Sequence, residues 1–173
     1  NSEMLMMLFE DILNIGDIEK GNFKVEYKST RCNDLCRKIL KCVEYRVPPG
    51  VALEYSSNVD DDSCLNTDGR RVQQVIVNYL TNACKHTREG EIRLHCEVDQ
   101  AANSVTFSVT DTGEGVPEDM QDKLFERYVK LGEGDSYGLG LPIAKGIAEQ
   151  HDGKIWAEST EDRNQFFVDL PMT

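Results

Sequence analysis

Residues 71–87, Arg-Val-Gln-Gln-Val-Ile-Val-Asn-Tyr-Leu-Thr-Asn-Ala-Cys-Lys-His-Thr, carry two periodic patterns at once, and together these restrict what the chain can fold into. Val72, Val75, Ile76, Tyr79, Leu80 and Ala83 recur at helical spacing and predict a helix with one face committed to a core. Arg71, Gln74, Asn78, Asn82 and Lys85 recur at the same spacing on another face. At roughly 100° per residue this polar set forms a stripe about 80° wide. A solvated helix face normally mixes charges of both signs. Two carboxamides one turn apart, with a lysine one turn beyond, look instead like a surface for a cation and a phosphate.

The chemistry of the groups supports that reading. Mg²⁺ takes hard oxygen ligands and usually accepts only one or two from protein. The carboxamide oxygen of Asn82 can serve without adding negative charge beside a triphosphate, and Lys85 can offset phosphate charge. Further on, Asp111-Thr-Gly-Glu-Gly115 ends an alternating run, Val105 to Val109, that predicts a strand. Gly113 and Gly115 let the backbone take positive φ or approach a ligand closely. A carboxylate only accepts hydrogen bonds, so a buried Asp111 suits the exocyclic amine of adenine. Each motif alone has an ordinary alternative: helical Asn is usually solvated, and Asp-x-Gly-x-Gly is often only a turn.

A third element, Tyr137-Gly-Leu-Gly-Leu-Pro-Ile-Ala-Lys145, places two glycines before a helix whose first turn carries Pro142. Helix N-termini offer free amides and a positive dipole end to phosphate. These three elements, in this order, resemble the N, G1 and G2 boxes of the sensor histidine kinases. That family is part of the ATPase group containing DNA gyrase, heat-shock chaperones and mismatch-repair ATPases. Leu124 to Lys130 resembles the F box, and His151 to Ser159 resembles the strand that follows G2. The resemblance covers nearly the whole chain.

The resemblance implies an α/β (α+β) two-layer sandwich, a mixed β-sheet with helices on one face, preceded by a helical stub. It implies that the domain binds ATP and Mg²⁺. Asn82 would coordinate Mg²⁺, Asp111 would read adenine within the loop of Gly113 and Gly115, and Lys85 and Lys130 would meet phosphates. Gly138, Leu139, Gly140 and Leu141 would contact nucleotide at the lid hinge, and Asn78 and Lys130 would serve catalysis. Position 78 separates the branches of the group: hydrolysing members carry a glutamate there, one turn before the metal-binding asparagine, as general base. An amide cannot take a proton at neutral pH, whereas a neutral imidazole is already a nucleophile. Asn78 therefore points to transfer of the γ-phosphate to histidine. Lys130 stands where many members carry arginine, and a single ammonium cannot grip phosphate bidentately.

Two departures accompany the match. Leu131 to Tyr137 is shorter than the usual lid, with Ser136 at the place of the first G2 glycine, and no His-Glu-Leu-Arg-type acceptor box occurs in the chain. The implied partners are a helical phosphoacceptor domain, a response-regulator receiver domain and, in the full-length protein, a second copy in a homodimer. Two alternatives stand beside this reading: a degenerate nucleotide-binding module signalling by conformation, and a hydrolysing ATPase of the same superfamily.

The apolar face of Leu5, Leu8, Phe9, Ile12, Leu13 and Ile15 predicts a helix ending near Gly21, which the resemblance makes the end of a dimerisation and phosphotransfer helix. Residues 1–20 are accordingly assigned to that helix and 21–173 to the ATP-binding catalytic domain. Strands are predicted at 23–28, 51–56, 91–98, 104–110, 154–158 and 165–170, and helices at 33–45, 70–85, from Pro117 and from Pro142. Trp156 is expected to pack on the sheet. The chain opens Asn1-Ser2, which points to a piece of something longer.

A net charge of −12 over 173 residues argues against a nucleic-acid partner or contact with an anionic membrane. It also requires a local basic patch for ATP, for which Arg71, Lys85, Arg127 and Lys130 are candidates. No stretch approaches the roughly 18 apolar residues of a membrane span. The six cysteines match no zinc pattern and include no Cys-x-x-Cys pair. Reduced, partly buried thiols in a cytoplasmic setting are expected.

Overall fold

The computed structural model describes residues 26–113, 140–160 and 162–172. The predicted helix over 1–20, the F box, and Gly115, Lys130, Gly138 and Leu139 lie outside the described residues. Strand β1 (Lys28–Arg31) runs directly into helix α1 (Cys32–Val43), which a 3-10 turn extends over Glu44–Arg46. Then follow β2 (Val51–Ser57), β3 (Cys64–Thr67), α2 (Gly69–His86), β4 (Gly90–Asp99) and β5 (Ser104–Asp111). The last elements are α3 (Gly140–Gln150), β6 (Lys154–Ser159) and β7 (Asn164–Pro171).

β1 and β3 form a small antiparallel pair. Among the described residues the main sheet has five strands in the order β2-β4-β5-β7-β6, with β2 parallel to β4 and every other pair antiparallel. Period-two alternation commits one face of this sheet to the core. Ile92, Leu94 and Cys96 of β4, Val105, Phe107 and Val109 of β5, and Phe166, Val168 and Leu170 of β7 are all buried. Facing them are Leu35, Cys36, Ile39 and Val43 of α1, and Ala144, Ile147 and Ala148 of α3. Between these lies α2, where all six apolar residues of the predicted stripe are buried. Each buried Val, Ile or Leu among them contributes about 1.5–3 kcal/mol relative to exposure. The result is the expected two-layer α/β sandwich. Tyr79 lies wholly inside and donates its hydroxyl to the carbonyl of Phe167 at 2.8 Å, so its polar tip is satisfied. On the outer face of the sheet Trp156 stacks on Phe167, with centroids 4.8 Å apart and planes 8° from parallel.

Two local expectations are corrected. Among the described residues the first strand runs Lys28–Arg31, beyond the predicted end at 28, as its pairing with Cys64–Thr67 dictates, and residues 23–25 of the predicted strand lie outside the described residues. Helix α3 starts at Gly140, so Pro142 is its third residue rather than the first. First-turn amides have no acceptor within their helix, so a proline there forfeits no hydrogen bond.

Candidate functional site

Helix α2 is anchored at its first turn. Asp68 is its N-cap, and the carboxylate accepts from the backbone N–H of Arg71 at 3.2 Å and of Glu26 at 3.0 Å. The Asp68 N–H points to Nε2 of the buried His151 at 3.4 Å, while His151 Nδ1 lies 3.0 Å from the carbonyl of Ile147. The neutral tautomer protonated on Nδ1 satisfies both contacts. Tyr27 packs edge-on against the same imidazole, with centroids 5.6 Å apart. The start of α2, the end of α3 and the segment entering the domain thus meet at one histidine.

Along α2 the polar stripe has two parts. Gln74 is buried and takes a hydrogen bond from the Arg71 guanidinium at 3.2 Å, so that end is structural. Asn78 and Asn82 are half-buried and Lys85 is exposed. Among the described residues, Asn82 makes no side-chain hydrogen bond and Lys85 no ion pair.

At the C-terminal end of α2 stands Asp111, the last residue of β5, which is only 2% exposed. Its Oδ1 accepts from the Gly113 N–H at 2.8 Å and from the Asn164 amide at 3.0 Å. Asn164 also donates to the Gly113 carbonyl at 3.3 Å and accepts from Ser159 Oγ at 2.6 Å. Burial raises the Asp111 carboxyl above the usual range, opposed by the Asn164 and Gly113 donors and by nearby His86. The two donors converge on Oδ1, which leaves Oδ2 acceptor capacity for a ligand.

Steric limits seal this junction. A Cβ at Gly113 would collide with the His86 carbonyl, so the loop can close on α2 only with glycine there. Gly90, at φ +104°, passes equally close to Thr112 Oγ1. That hydroxyl accepts from the Glu91 N–H at 3.2 Å and donates to the Glu89 carbonyl at 3.0 Å. Thr87 is buried beside the Asp111 carboxyl, and its hydroxyl makes no well-formed hydrogen bond among the described residues.

The buried Thr87 hydroxyl beside the directed Asp111 carboxylate, and the Asn82 amide, which makes no side-chain hydrogen bond among the described residues, fit a ligand with a hydrogen-bonding edge and an anionic tail. No cluster of His, Cys, Asp or Glu suited to a metal occurs among the described residues. A cation here would rest on one carboxamide, with phosphate and water oxygens completing its shell.

The fold therefore brings Asn78, Asn82, Lys85, Asp111 and Gly113 to one helix and its C-terminal junction. Gly140 and Leu141 begin α3, which packs on α2, with side chains outside the described set. Sequence reasoning missed Thr87 and Asn164. Thr87 directly follows the helix, so adjacency was an available signal. Asn164 is 53 residues from Asp111, and only the β5–β7 register pairs them.

Residues 67–173 match the family model described as histidine kinase-, DNA gyrase B- and HSP90-like ATPase. The chain belongs to this ATPase family. Within it, the chain is a sensor histidine kinase ATP-binding catalytic domain. The autoinducer 2 sensor kinase/phosphatase LuxQ of Vibrio harveyi is 32% identical over 180 residues, covering 97% of this chain and 21% of LuxQ. The chain thus spans about a fifth of that relative. The catalytic domain of histidine kinase ThkA, in a nucleotide-free form, superposes with a TM-score of 0.74 at 26% identity, over 86% of this chain and 97% of that one. Full-length ShkA in complex with AMPPNP shares the fold, with a TM-score of 0.85 at 22% identity over 99% of this chain and 36% of that one. Like these kinases, the ATPase domain here sets a mixed sheet against its helices.

Proposed function

We propose that this catalytic domain transfers the γ-phosphate of Mg-ATP to a histidine of a helical phosphoacceptor domain outside residues 1–173. The observation that carries the reading is Asn78, an amide one turn before Asn82 on the helix whose end abuts Asp111. Asp111 accepts from the adenine amine, held in direction by Asn164 and Gly113. Asn82 holds the cation and Lys85 offsets phosphate charge. The cation, when bound, neutralises charge on the phosphate oxygens. Asn78 contacts nucleotide and takes no proton, so water at this site lacks a general base. Gly115, Lys130, Gly138, Leu139, Gly140 and Leu141 complete the nucleotide site, with Lys130 at the transferring phosphate.

Residues 1–20 are, on this reading, the end of the dimerisation and phosphotransfer helix, and the full-length protein is a homodimer. ThkA has been solved in complex with the response regulator protein TrrA. A receiver domain of that kind is the corresponding partner proposed here. No helix among the described residues is long and apolar enough to cross a membrane, and a cytoplasmic place for this segment is part of the same proposal.

Incubation with γ-labelled ATP tests the reading. The chain alone should bind Mg-ATP and acquire no acid-labile label, because transfer needs an imidazole in line and about 3–3.5 Å from the phosphorus. His151 is buried with both ring nitrogens engaged, and His95 is bound to Ser56 and Glu97 on the outer face of the sheet. Adding the helical acceptor domain should restore labelling. Release of labelled phosphate at a catalytic rate without an acceptor would favour hydrolysis instead. Binding without transfer even to a supplied acceptor would favour a purely conformational module.

A further inference from the structure

Strand register gathers three polar groups on the outer face of the sheet, opposite the helices. Period-two alternation puts His95 and Glu97 on the same face of β4. The parallel pairing of β2 with β4 sets Ser56 directly opposite His95, and Ser108 of β5 pairs with His95 on its other side. Ser56 Oγ lies 2.7 Å from His95 Nδ1, and His95 Nε2 lies 3.1 Å from a carboxylate oxygen of Glu97.

The proton positions follow from the chemistry of the groups. A carboxylate only accepts, so the ring proton sits on Nε2, facing Glu97. In the neutral imidazole Nδ1 then carries the lone pair, and the Ser56 hydroxyl donates to it. Hydroxyl, base and carboxylate stand in the order that activates a serine. Ser56 and His95 are half-buried and line a cleft of about 480 Å³ with Arg93, Ser108, Thr110 and Arg163. Ser108 is 7% exposed, and its hydroxyl makes no hydrogen bond among the described residues. Arg93 is held by Glu54 and Glu91, whereas Arg163 makes no ion pair among the described residues. Beside the serine, the cleft therefore offers a hydroxyl donor and a guanidinium to a group that departs as an anion.

We propose that Ser56, His95 and Glu97 form a nucleophilic serine site, acylated by esters with an acidic leaving group. Ser56 Oγ attacks the ester carbonyl carbon, and its proton passes to His95 Nδ1. The bond from that carbon to the leaving oxygen breaks, giving acyl-Ser56 and an anion, which takes the proton from His95 or leaves it to solvent. Water attacks the acyl group in turn, gives its proton to His95 and restores the Ser56 hydroxyl. The sum is ester plus water giving acid plus alcohol, with no change of oxidation state. Glu97 is a positioning residue: it fixes the tautomer that keeps Nδ1 free to take the proton.

A fluorophosphonate probe applied to the native 173-residue chain, followed by peptide mass spectrometry, tests the assignment. Ser56 Oγ should bond to phosphorus with loss of fluoride, and one label per chain is expected, on Ser56. His95→Gln should slow labelling about 100-fold, the lower end of a general base's contribution. Glu97→Gln should lower the maximal labelling rate roughly 10-fold with unchanged probe affinity, because the amide no longer dictates the tautomer. On p-nitrophenyl acetate, Ser56 should acquire the acetyl group as p-nitrophenolate is released. Absence of label on Ser56 would overturn the proposal. So would a Ser56 labelling rate that is the same in urea, or the same in folded His95→Gln. The comparison of native with urea-unfolded wild type decides the matter even if a variant does not fold.

Discussion

The amide of Asn164 donates to Oδ1 of Asp111 at 3.0 Å, across two antiparallel strands, with both side chains buried. A buried carboxylate is costly unless donors surround it. Here one donor comes from the neighbouring strand and another from the Gly113 backbone, and both meet the same oxygen. The carboxylate is therefore oriented before any ligand arrives.

Asp111→Asn should remove most adenine-nucleotide affinity and leave the fold intact. The asparagine oxygen can still accept from Asn164 and Gly113, but the group facing the ligand becomes a donor. Losing a hydrogen bond to a charged group costs about 1.5–3 kcal/mol, roughly 10- to 150-fold in affinity. Calorimetry showing wild-type ATP affinity in a folded mutant would remove Asp111 from the site.

The raised carboxyl of Asp111 gives two pH dependences of opposite sign. Its folded-state pKa lies above the unfolded value, so its contribution to stability is complete below the unfolded pKa and is lost as pH rises through the folded one. Asp111→Asn should therefore gain stability relative to wild type from about pH 4 upward. Binding needs the ionised acceptor, so wild-type ATP affinity should rise with pH over the same window, measured against Asp111→Asn as reference. Denaturant melts with a pH-independent difference between the two proteins would show that Asp111 is not perturbed.

Asn82→Ala should weaken magnesium-dependent nucleotide binding more than metal-free binding, since one of few protein oxygens for the cation is gone. Asn78→Ala should spare binding better and harm transfer more. Titrations with and without Mg²⁺ separate the cases, and an unchanged magnesium response in Asn82→Ala means the cation is held elsewhere.

Gly113→Ala should disturb both stability and adenine recognition, because the added methyl meets the His86 carbonyl and must displace the loop that carries the Asp111 donor. A loss of about 1–3 kcal/mol is expected for such overpacking. Gly50, at positive φ with open space around its Cβ position, is the comparison: Gly50→Ala should cost only backbone strain. Equal losses at the two sites would rule out the close approach as the cause.

Much of the framework was legible in residues 71–87 and in the alternating strands, because helical and strand periodicities are local. A helix with a 3.6-residue period must bury the stripe that the apolar residues define, and its polar stripe must then face elsewhere. The order Asn78, Asn82, Asp111 likewise exposed the family, since each group has a chemical type that can be named without coordinates. That strand β1 continues past Lys28 to Arg31 was not legible, because the pairing with Cys64–Thr67 that sets it is not local. What the sequence determined alone was which residue types could hold a nucleotide and a cation. Only the tertiary structure decided that Asn164 orients Asp111 and that Thr87 lies buried against it. Those relationships join residues tens of positions apart through strand register and helix-on-sheet packing, which no local period records.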